Sequence, residues 1–243
     1  MNIICMVQAR MVSSRLPEKV MITLSGKPMI QHILESLVRS KTITDLVVLT
    51  TTQKRDDKLV KYLKKNNWKY FRGDENDVLK RYYDAAIRYN ADYIIRITAD
   101  NPLTDPSIVD LVVTKAIENK VDYASNNLLK TYPLGYVVEV ISRNTLEKIE
   151  KLARGSILRE HVTPYIYKNL KKFKTLNVAA PKSLSYPNWR LTVDTIEDFK
   201  LIKKIFENLY SENESINYKE VIKLLLRKPE LLSINRNIKQ KVV

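Results

Sequence analysis

Short apolar runs alternate with amphipathic segments along the first half of the chain. The runs hold many β-branched residues, which favours buried strands, and the segments repeat apolar residues at helical spacing. The strands predicted in this way are residues 2–8, 45–51, 68–73 and 92–98, and the predicted helices are residues 28–40, 55–66, 77–89 and a fourth that begins near Ser107. Strands that alternate with helices are typical of a mostly parallel sheet with helices on both faces. The pattern therefore predicts an α/β fold.

The pattern changes after about residue 121. The strands predicted in this half are residues 122–126, 135–142, 173–180 and 189–195, and the predicted helices are residues 143–153, 156–170, 194–210 and 217–227. This mixture suits an antiparallel extension of a parallel core. The segment after Pro229 is basic, and we expect it to wrap around the surface. Because no repeat, Ser/Gly linker or low-complexity block divides the chain, we expect one domain over residues 1–243.

Composition narrows the classes of protein to which the chain can belong. Its net charge is +15, but the lysines are spread along the chain among acids, which favours a solvated basic surface over a nucleic-acid site. This charge would still attract anionic substrates. The single cysteine, Cys5, excludes a disulfide framework and fits a reducing cytoplasm. We find no signal-peptide pattern and no run of about 18 apolar residues, so we expect no membrane span.

Residues 6–20 collect fixed positive charge where the first predicted strand should end. The stretch contains Arg10, Arg15 and Lys19, with Ser13 and Ser14 between them. Ligands of parallel α/β sheets bind beyond the carboxyl ends of the strands. The three cations could therefore neutralise a triphosphate, to which the serines would donate hydrogen bonds. The stretch has no Walker pattern, and a solvated basic loop is the alternative reading.

Two aspartates follow other predicted strands. Asp100 comes directly after residues 92–98, and Asp194 lies at the end of residues 189–195. Carboxylates from two strand ends can converge on one cation, and Mg²⁺ usually takes one or two carboxylates together with phosphate oxygens. The alternatives are a turn residue at Asp100 and a helix N-cap at Asp194.

Other residues with possible roles are less specific. Arg72 lies at a strand end and could face a base or a phosphate, whereas Arg159 and His161 could hold an acidic acceptor. A histidine is more often packed or hydrogen-bonded than catalytic. Glu139 could bind sugar hydroxyls if it faces the crevice. Two of the four glycines, at positions 73 and 135, lie at strand ends, where we expect close approach to a ligand.

These segments together resemble the cytidylyltransferases that activate acidic sugars, and most of all the spore-coat polysaccharide type. Related enzymes act on 3-deoxy-manno-octulosonate and on acylneuraminate. Seven motifs carry the resemblance in the same order over nearly the whole chain: QARMVSSRLPEK, GKP, RGDENDVLKRYY, RITADNPLTDP, GYVVEV, REHVTPYI and RLTVDTIEDF.

The resemblance implies a nucleotide-diphospho-sugar transferase fold that uses CTP and Mg²⁺ and releases pyrophosphate. Residues 1–120 would then form a nucleotide-binding half, and residues 121–243 a half for acceptor binding and homodimer formation. The nucleotide would be bound by Gln8, Ala9, Arg10, Ser13, Ser14, Arg15, Lys19, Arg72, Thr98 and Asp100. Among these, the catalytic residues would be Arg10, Arg15, Lys19 and Asp100. The metal would bind to Asp100 and Asp194, and the acceptor to Asn101, Glu139, Arg159, Glu160, His161 and Arg190.

The chain departs from this family pattern at three places. Val12 and Glu18 stand where the family usually has glycines, so the loop backbone could be remodelled. Glu18 also places an anion near the expected triphosphate. Tyr136 and Val137 replace an expected Leu–Asp pair whose aspartate would bind the acceptor, which indicates a different acceptor.

Two other functions remain as alternatives. A glycosyltransferase shares a related fold but releases a nucleoside diphosphate. A dense cluster of cations suits a triphosphate better than it suits a diphosphate. A non-catalytic nucleotide- or RNA-binding protein would need aromatic residues along a basic stripe, and the sequence shows no such stripe.

Overall fold

The computed structural model describes residues 1–211 and 215–240. The strands are β1 (Ile3–Gln8), β2 (Thr23–Leu24), β3 (Lys27–Pro28), β4 (Asp45–Thr51), β5 (Tyr70–Gly73), β6 (Tyr93–Thr98), β7 (Tyr123–Ser125), β8 (Glu139–Ser142) and β9 (Thr175–Asn177). The helices are α1 (Met29–Leu37), α2 (Asp57–Lys65), α3 (Val78–Arg88), α4 (Pro106–Glu118), α5 (Arg143–Leu152), α6 (Ser156–Glu160), α7 (Pro164–Tyr167), α8 (Ile196–Leu209) and α9 (Tyr218–Arg227). None of the helices in the described ranges is long and apolar enough to cross a membrane.

A seven-stranded sheet forms the centre of the fold, in the order β5-β4-β1-β6-β8-β7-β9. Strands β5, β4, β1 and β6 run parallel to one another. Strand β8 is antiparallel to both β6 and β7, and β9 is parallel to β7. Because the four parallel strands end at the same edge, the residues that follow them are brought together there. The predicted α/β fold, with an antiparallel extension of a mostly parallel sheet, is confirmed.

The residues of strand β1 show that this sheet is buried on both faces. Cys5 and Val7 point into the core cluster that also contains residues of α1, α4, α8 and α9. Met6 points to the opposite face, where it belongs to the cluster that contains Tyr82 of α3 and Ile149 of α5. A strand covered on both faces is apolar without interruption, which is the pattern that predicted it.

Side-chain caps fix where several helices begin. Asp77 accepts a hydrogen bond from the Lys80 backbone at the start of α3. Asp105 caps α4 from the position before Pro106. Thr195 and Asp198 form a reciprocal capping box at the start of α8. Such caps satisfy the free N–H groups of the first turn, so the helices begin near the predicted positions.

The strand predicted over residues 189–195 is wrong. Leu191 and Val193 alternate with polar residues in the sequence, but Arg190 and Thr192 are buried as well, and the segment is not one of the strands of the described chain. Its hydrogen bonds go to connecting segments: the Leu191 N–H donates to Leu134 at 2.7 Å, and the Val193 N–H donates to Asp100 at 2.8 Å. Leu191 and Val193 belong to the main core cluster although their backbone pairs with loops, and single-sequence periodicity cannot distinguish such a segment from a strand.

Three further elements are shorter than predicted, and one of them is the strand expected over residues 173–180, which is regular only in β9. The helix expected over residues 156–170 is divided into α6 and α7, because the chain turns sharply at Val162 before Pro164 begins the second helix. The strand expected over residues 135–142 is regular only in β8. Its first residue, Gly135, has a φ of +118° and leaves the strand conformation.

Candidate active site

A cavity of about 470 Å³ opens at the carboxyl edge of the parallel strands. The loop after β1 forms one wall, and the ends of β6 and α6 and the segment before α8 form the others. Twelve of the residues predicted for the site line this cavity: Gln8, Ala9, Arg10, Ser13, Ser14, Arg15, Lys19, Thr98, Asp100, Glu160, His161 and Asp194. The structure therefore brings together groups that are up to 186 positions apart in the chain, from Gln8 to Asp194.

The loop between β1 and Val20, residues 9–19, is held by backbone hydrogen bonds at both ends. The Ala9 N–H donates to Leu49 at 2.9 Å, and the Glu18 N–H donates to Met11 at 2.9 Å. The Met11 N–H donates to the buried carboxylate of Asp56 at 2.7 Å. Asp56 is a support that the sequence analysis missed, and no motif identified it. These bonds fix the loop backbone from which the cationic side chains extend.

Lys19 lies between the two predicted metal ligands. Its ammonium is 3.2 Å from Asp100 Oδ2 and 2.8 Å from Asp194 Oδ1. A third contact, at 2.9 Å, is to the carbonyl oxygen of Val193. Because both carboxylates lie within reach of one nitrogen, they are close enough to share one ion. The arrangement on which the metal prediction depends is thus present in the structure.

Asp194 is the carboxylate with the most cations around it. Arg15 approaches its Oδ2 at 3.0 Å, and Arg190 donates to the same oxygen at 2.9 Å. Burial alone would raise the pKa of Asp194, but Lys19, Arg190 and Arg15 together hold that pKa below its ordinary value. Asp194 is therefore ionised at neutral pH and can act as an anionic ligand.

The oxygen atoms at this position suit a hard divalent cation. Asp100 and Asp194 supply two carboxylates, and the carbonyl oxygen of Val193 lies beside them. Across residues 1–211 and 215–240, no group of three or more His, Cys, Asp and Glu side chains could hold a metal by itself. A site with two carboxylates would be completed by oxygens of a substrate, as Mg²⁺ sites on phosphate substrates commonly are.

Arg190 holds Asp194 in place and does not face an acceptor in the cavity. Its guanidinium is buried and donates to both oxygens of Asp198, at 2.8 and 2.9 Å. Asp198 also accepts the backbone N–H of Asp194 at 3.0 Å. The side-chain amide of Asn235 donates to Asp198 at 2.8 Å. This network fixes the carboxylate of Asp194, and it differs from the acceptor contact predicted for Arg190.

Glu139 also lies outside the cavity, in a buried network beneath it. Its carboxylate accepts hydrogen bonds from Tyr123 and Tyr167, both at 2.6 Å, and pairs with Arg96. Burial would raise the pKa of Glu139, but Arg96 and the tyrosine hydroxyls bring it below its ordinary value. Arg96 in turn reaches the side-chain oxygen of Gln8 at 3.5 Å. Glu139 thus supports the cavity floor and does not present its carboxylate to sugar hydroxyls.

Three other predicted residues do not line the cavity and instead have structural partners within the protein. Arg159 pairs with Asp77 at 2.7 Å and with Glu150 at 3.1 Å, which ties α6 to α3 and α5. Arg72 pairs with Asp57 at 2.8 Å. Asn101 is buried, and its amide donates to Thr98 at 2.9 Å, next to the hydrogen bond from Thr98 to Asp100. These side chains hold elements of the site in place, and the structure does not bring Arg72 or Arg159 to the cavity.

A tight turn presents Glu160 and His161 to the cavity. Val162 has a φ of +69°, and the Thr163 N–H donates across it to the His161 carbonyl at 2.8 Å. A three-residue turn with positive φ is rare and strained, above all for a β-branched residue. Glu160 lies 3.8 Å from Arg10 across the cavity. The sequence carried no signal for this turn, because valine is not a turn residue.

The comparisons with known proteins agree with this geometry. A family model described as Cytidylyltransferase matches residues 4–235. The chain belongs to the cytidylyltransferase family. It is 39% identical over 241 residues to the uncharacterized protein MJ1063 of Methanocaldococcus jannaschii, covering 99% of this chain and 97% of that protein. It is 32% identical over 234 residues to the spore coat polysaccharide biosynthesis protein SpsF of Bacillus subtilis, covering 94% and 96%.

A solved cytidylyltransferase structure from Leptospira borgpetersenii superposes on this chain with a TM-score of 0.91, at 34% identity and with full coverage of both chains. The resemblance to cytidylyltransferases of the spore-coat type is therefore confirmed, together with the expected fold. As a member of this family, the chain is a CTP-dependent nucleotidyltransferase.

The two departures in the family loop have different consequences for the cytidylyltransferase. Val12 has a negative φ, so its side chain does not strain the backbone. Glu18 has a φ of +55°, in the region that favours glycine. Its carboxylate is 2.5 Å from the ammonium of Lys58 and does not line the cavity. The loop thus has a glutamate at a position with positive φ.

The glycines predicted to approach a ligand approach other parts of the cytidylyltransferase instead. A Cβ at Gly135 would clash with the backbone carbonyl of Leu191. A Cβ at Gly73 would lie 2.8 Å from the side chain of Arg81. Gly135 therefore lets the segment before Asp194 pack closely against the rest of the fold. The replacement beside it, Tyr136, is buried and does not line the cavity.

Proposed function

We propose that this cytidylyltransferase transfers CMP from CTP to an acidic sugar or a related small acidic metabolite, with Mg²⁺ as cofactor and pyrophosphate as leaving group. One observation carries the proposal: Asp100 and Asp194 meet at a single point of the cavity, and Arg10, Arg15 and Lys19 line the same cavity. A triphosphate with its divalent ion carries the complementary charges.

The reaction would be an in-line attack by an acceptor oxygen on the α-phosphorus of CTP. Arg15 and Lys19 would bind the phosphates and stabilise the charge that develops on pyrophosphate as it leaves. Asp100 and Asp194 would hold the Mg²⁺ ion, which when bound offsets negative charge on the phosphates. No covalent intermediate is needed, since positioning and electrostatic stabilisation account for most of the catalysis in phosphoryl transfer.

The acceptor would lie at the part of the cavity where Arg10, Glu160 and His161 meet. Burial, with Arg96 and Arg10 nearby, lowers the pKa of His161 below its ordinary value although Glu160 opposes this shift. His161 would therefore bind an acceptor hydroxyl as a neutral hydrogen-bonding group, and Arg10 would supply the positive charge for an acceptor carboxylate. The relative SpsF is named for spore coat polysaccharide biosynthesis, which supports a role in surface polysaccharide or glycan biosynthesis.

The remaining parts of the proposal concern the setting of the reaction. The enzyme would act in the cytoplasm on small molecules, without nucleic acid or membrane as partner. It would form one domain over residues 1–243, with the nucleotide bound mainly by residues 1–120 and homodimer contacts in residues 121–243. The single Cys5 is buried in the core, where it needs no disulfide partner, which supports a reducing compartment.

A pyrophosphate-release screen tests the proposal. The purified protein is incubated with each of the four NTPs, and in parallel with sugar nucleotides, with and without Mg²⁺, against a panel of acidic sugars and small acids. We expect release that requires Mg²⁺, CTP and one acidic acceptor together, and we expect the CMP-linked product by mass spectrometry. Nucleoside diphosphate release from a sugar nucleotide, without pyrophosphate from any NTP, would instead favour a glycosyltransferase.

A further inference from the structure

All three N–H donors of the Lys19 ammonium are used inside the site. They reach Asp100 Oδ2 at 3.2 Å, Asp194 Oδ1 at 2.8 Å and the Val193 carbonyl oxygen at 2.9 Å. An ammonium has three donors and no acceptor, so these contacts saturate it. The side chain is 13% exposed. Lys19 therefore occupies a closed position among three oxygens and does not extend into the cavity as a free phosphate ligand.

These oxygens include both carboxylates that the proposed function assigns to the metal. A lysine ammonium and a divalent cation cannot share them, because the two positive charges repel at such short distance. Asp194 already has Arg15 at 3.0 Å and Arg190 at 2.9 Å, so a metal ion arriving alone would meet three cations. The free protein is thus neutralised internally at the place where the metal should bind.

We propose that Lys19 occupies the metal position in the nucleotide-free enzyme, so that the divalent ion binds only together with the nucleotide. This inference rests on the proposed function for the identity of the ligands. A triphosphate in the cavity supplies the acceptors that Lys19 needs when it leaves the two aspartates. The nucleotide then adds negative charge where the metal alone would add only positive charge, which makes metal and nucleotide binding cooperative.

The local structure allows this exchange without moving the backbone. Val20, the next residue, is buried and belongs to the core, and Lys19 begins a short 3-10 turn that ends at Met21. The backbone at Lys19 is therefore fixed, while its four-carbon side chain can swing. Ser13 and Ser14 line the same cavity, so phosphate oxygens bound near them would lie on the same side as the ammonium.

Binding of Mn²⁺, as a spectroscopic probe for the metal, tests the exchange without any turnover. Free Mn²⁺ is measured by electron paramagnetic resonance with wild type, Lys19→Met and Arg15→Met, each with and without a CTP analogue that has a methylene group between its α and β phosphorus atoms. We expect weak Mn²⁺ binding by nucleotide-free wild type and, once the analogue is present, a loss of free Mn²⁺ that exceeds the loss caused by the analogue without protein. Lys19→Met should bind Mn²⁺ about tenfold or more tightly without nucleotide, since two charge-assisted hydrogen bonds no longer compete.

Arg15→Met is the matched control. It removes one positive charge beside Asp194 but leaves the ammonium between the two carboxylates. A smaller gain in Mn²⁺ affinity than in Lys19→Met supports occupation of the site by Lys19. An equal gain in Mn²⁺ affinity in both variants would mean that only the net charge of the site matters, and it would overturn the proposal. Tight Mn²⁺ binding by nucleotide-free wild type would also overturn it. The wild-type measurement stands even if a variant does not fold, and failure of the proposed function would appear separately, as absence of pyrophosphate release.

Discussion

The carboxylate of Glu18 lies 2.5 Å from the ammonium of Lys58, on helix α2, and not beside the cations that line the cavity. The acid that was expected to oppose a triphosphate is therefore paired outside the cavity. Both side chains of the pair are more than half exposed, so the pair itself contributes little to stability. What matters at this position is the backbone, because Glu18 has a φ of +55°.

The first prediction concerns that backbone conformation. Glu18→Gly is expected to be more stable than Glu18→Ala by about 1 kcal/mol, because only glycine adopts positive φ without steric cost. Both variants lose the pair with Lys58, so its contribution cancels in the comparison. The free energy of unfolding in urea measures the difference.

Val12 is the control for this comparison, since it lies in the same loop and has a negative φ. There Val12→Gly should be less stable than Val12→Ala, because glycine adds conformational freedom to the unfolded chain and relieves no strain. The same order of stability at both positions would show that φ at Glu18 is not what the comparison measures.

The second prediction concerns the two carboxylates. Asp100→Ala and Asp194→Ala are each expected to lower kcat for pyrophosphate release by about 100-fold or more, as the loss of a key electrostatic group does. Asp45→Asn is a suitable control, because Asp45 pairs with Lys69 and does not line the cavity. Mg²⁺-dependent release at the wild-type rate in both alanine variants would contradict the assignment of these aspartates.

The first half of the fold could be predicted from the sequence because its central strands, β1 and β4, are buried on both faces. Strand β1 is apolar without interruption, and its polar residues begin where the sheet ends, at Gln8. The rule that ligands bind beyond strand ends then places Arg10, Lys19 and Asp100 in one site. Proximity in the sheet is enough for Arg10 and Asp100, which closely follow β1 and β6, whereas Lys19 is brought to the site by the loop after β1.

The parts that failed depend on contacts between distant segments. Leu191 and Val193 alternate with polar residues in the sequence, as strand residues do, but their backbone N–H groups pair with connecting segments. Arg190 and Glu139 have the charges of ligand-binding residues, yet the structure buries both in networks within the protein. Side-chain partners of this kind are set by tertiary packing. Asp194 lines the cavity although the predicted strand before it was wrong, and the family motif RLTVDTIEDF contains this residue whatever its secondary structure.

The third prediction concerns Gln240 at the end of the described chain. Its side chain lines the cavity and accepts a hydrogen bond from Arg190, which in turn holds Asp194 at 2.9 Å. Gln240→Ala should lower kcat/KM for CTP by about three- to tenfold, the range expected for the loss of one ordinary hydrogen bond. The free energy of unfolding should change by less than about 1 kcal/mol, because Arg190 keeps both bonds to Asp198.

Lys239→Ala serves as the control for this effect, since Lys239 is the exposed neighbour and does not line the cavity. Steady-state kinetics on both variants measure the effect of each position on kcat/KM for CTP. If Gln240→Ala and Lys239→Ala have the same kcat/KM as wild type, the end of the chain has no part in the site.

The fourth prediction concerns the protonation of His161. Burial lowers its pKa below the ordinary 6.5, and Arg96 and Arg10 act in the same direction against Glu160. The ring is therefore neutral at pH 7. The chain has two histidines, and burial also lowers the pKa of His32 below 6.5. An NMR titration should show both rings protonating below pH 6.5. In the His32→Gln variant, only the His161 signal should remain.

The same shift has a consequence for stability whose sign is fixed by proton binding. Between the folded pKa of His161 and 6.5, the unfolded chain binds a proton that the folded protein does not. The free energy of unfolding should therefore fall as pH decreases through this window, and the contribution of His161 should be fully present above pH 6.5. His161→Asn should have a weaker pH dependence in this window, measured by urea unfolding at several pH values. A His161 signal that titrates above pH 6.5 would instead mean that the ring carries charge near neutral pH and could bind an acceptor carboxylate as a cation.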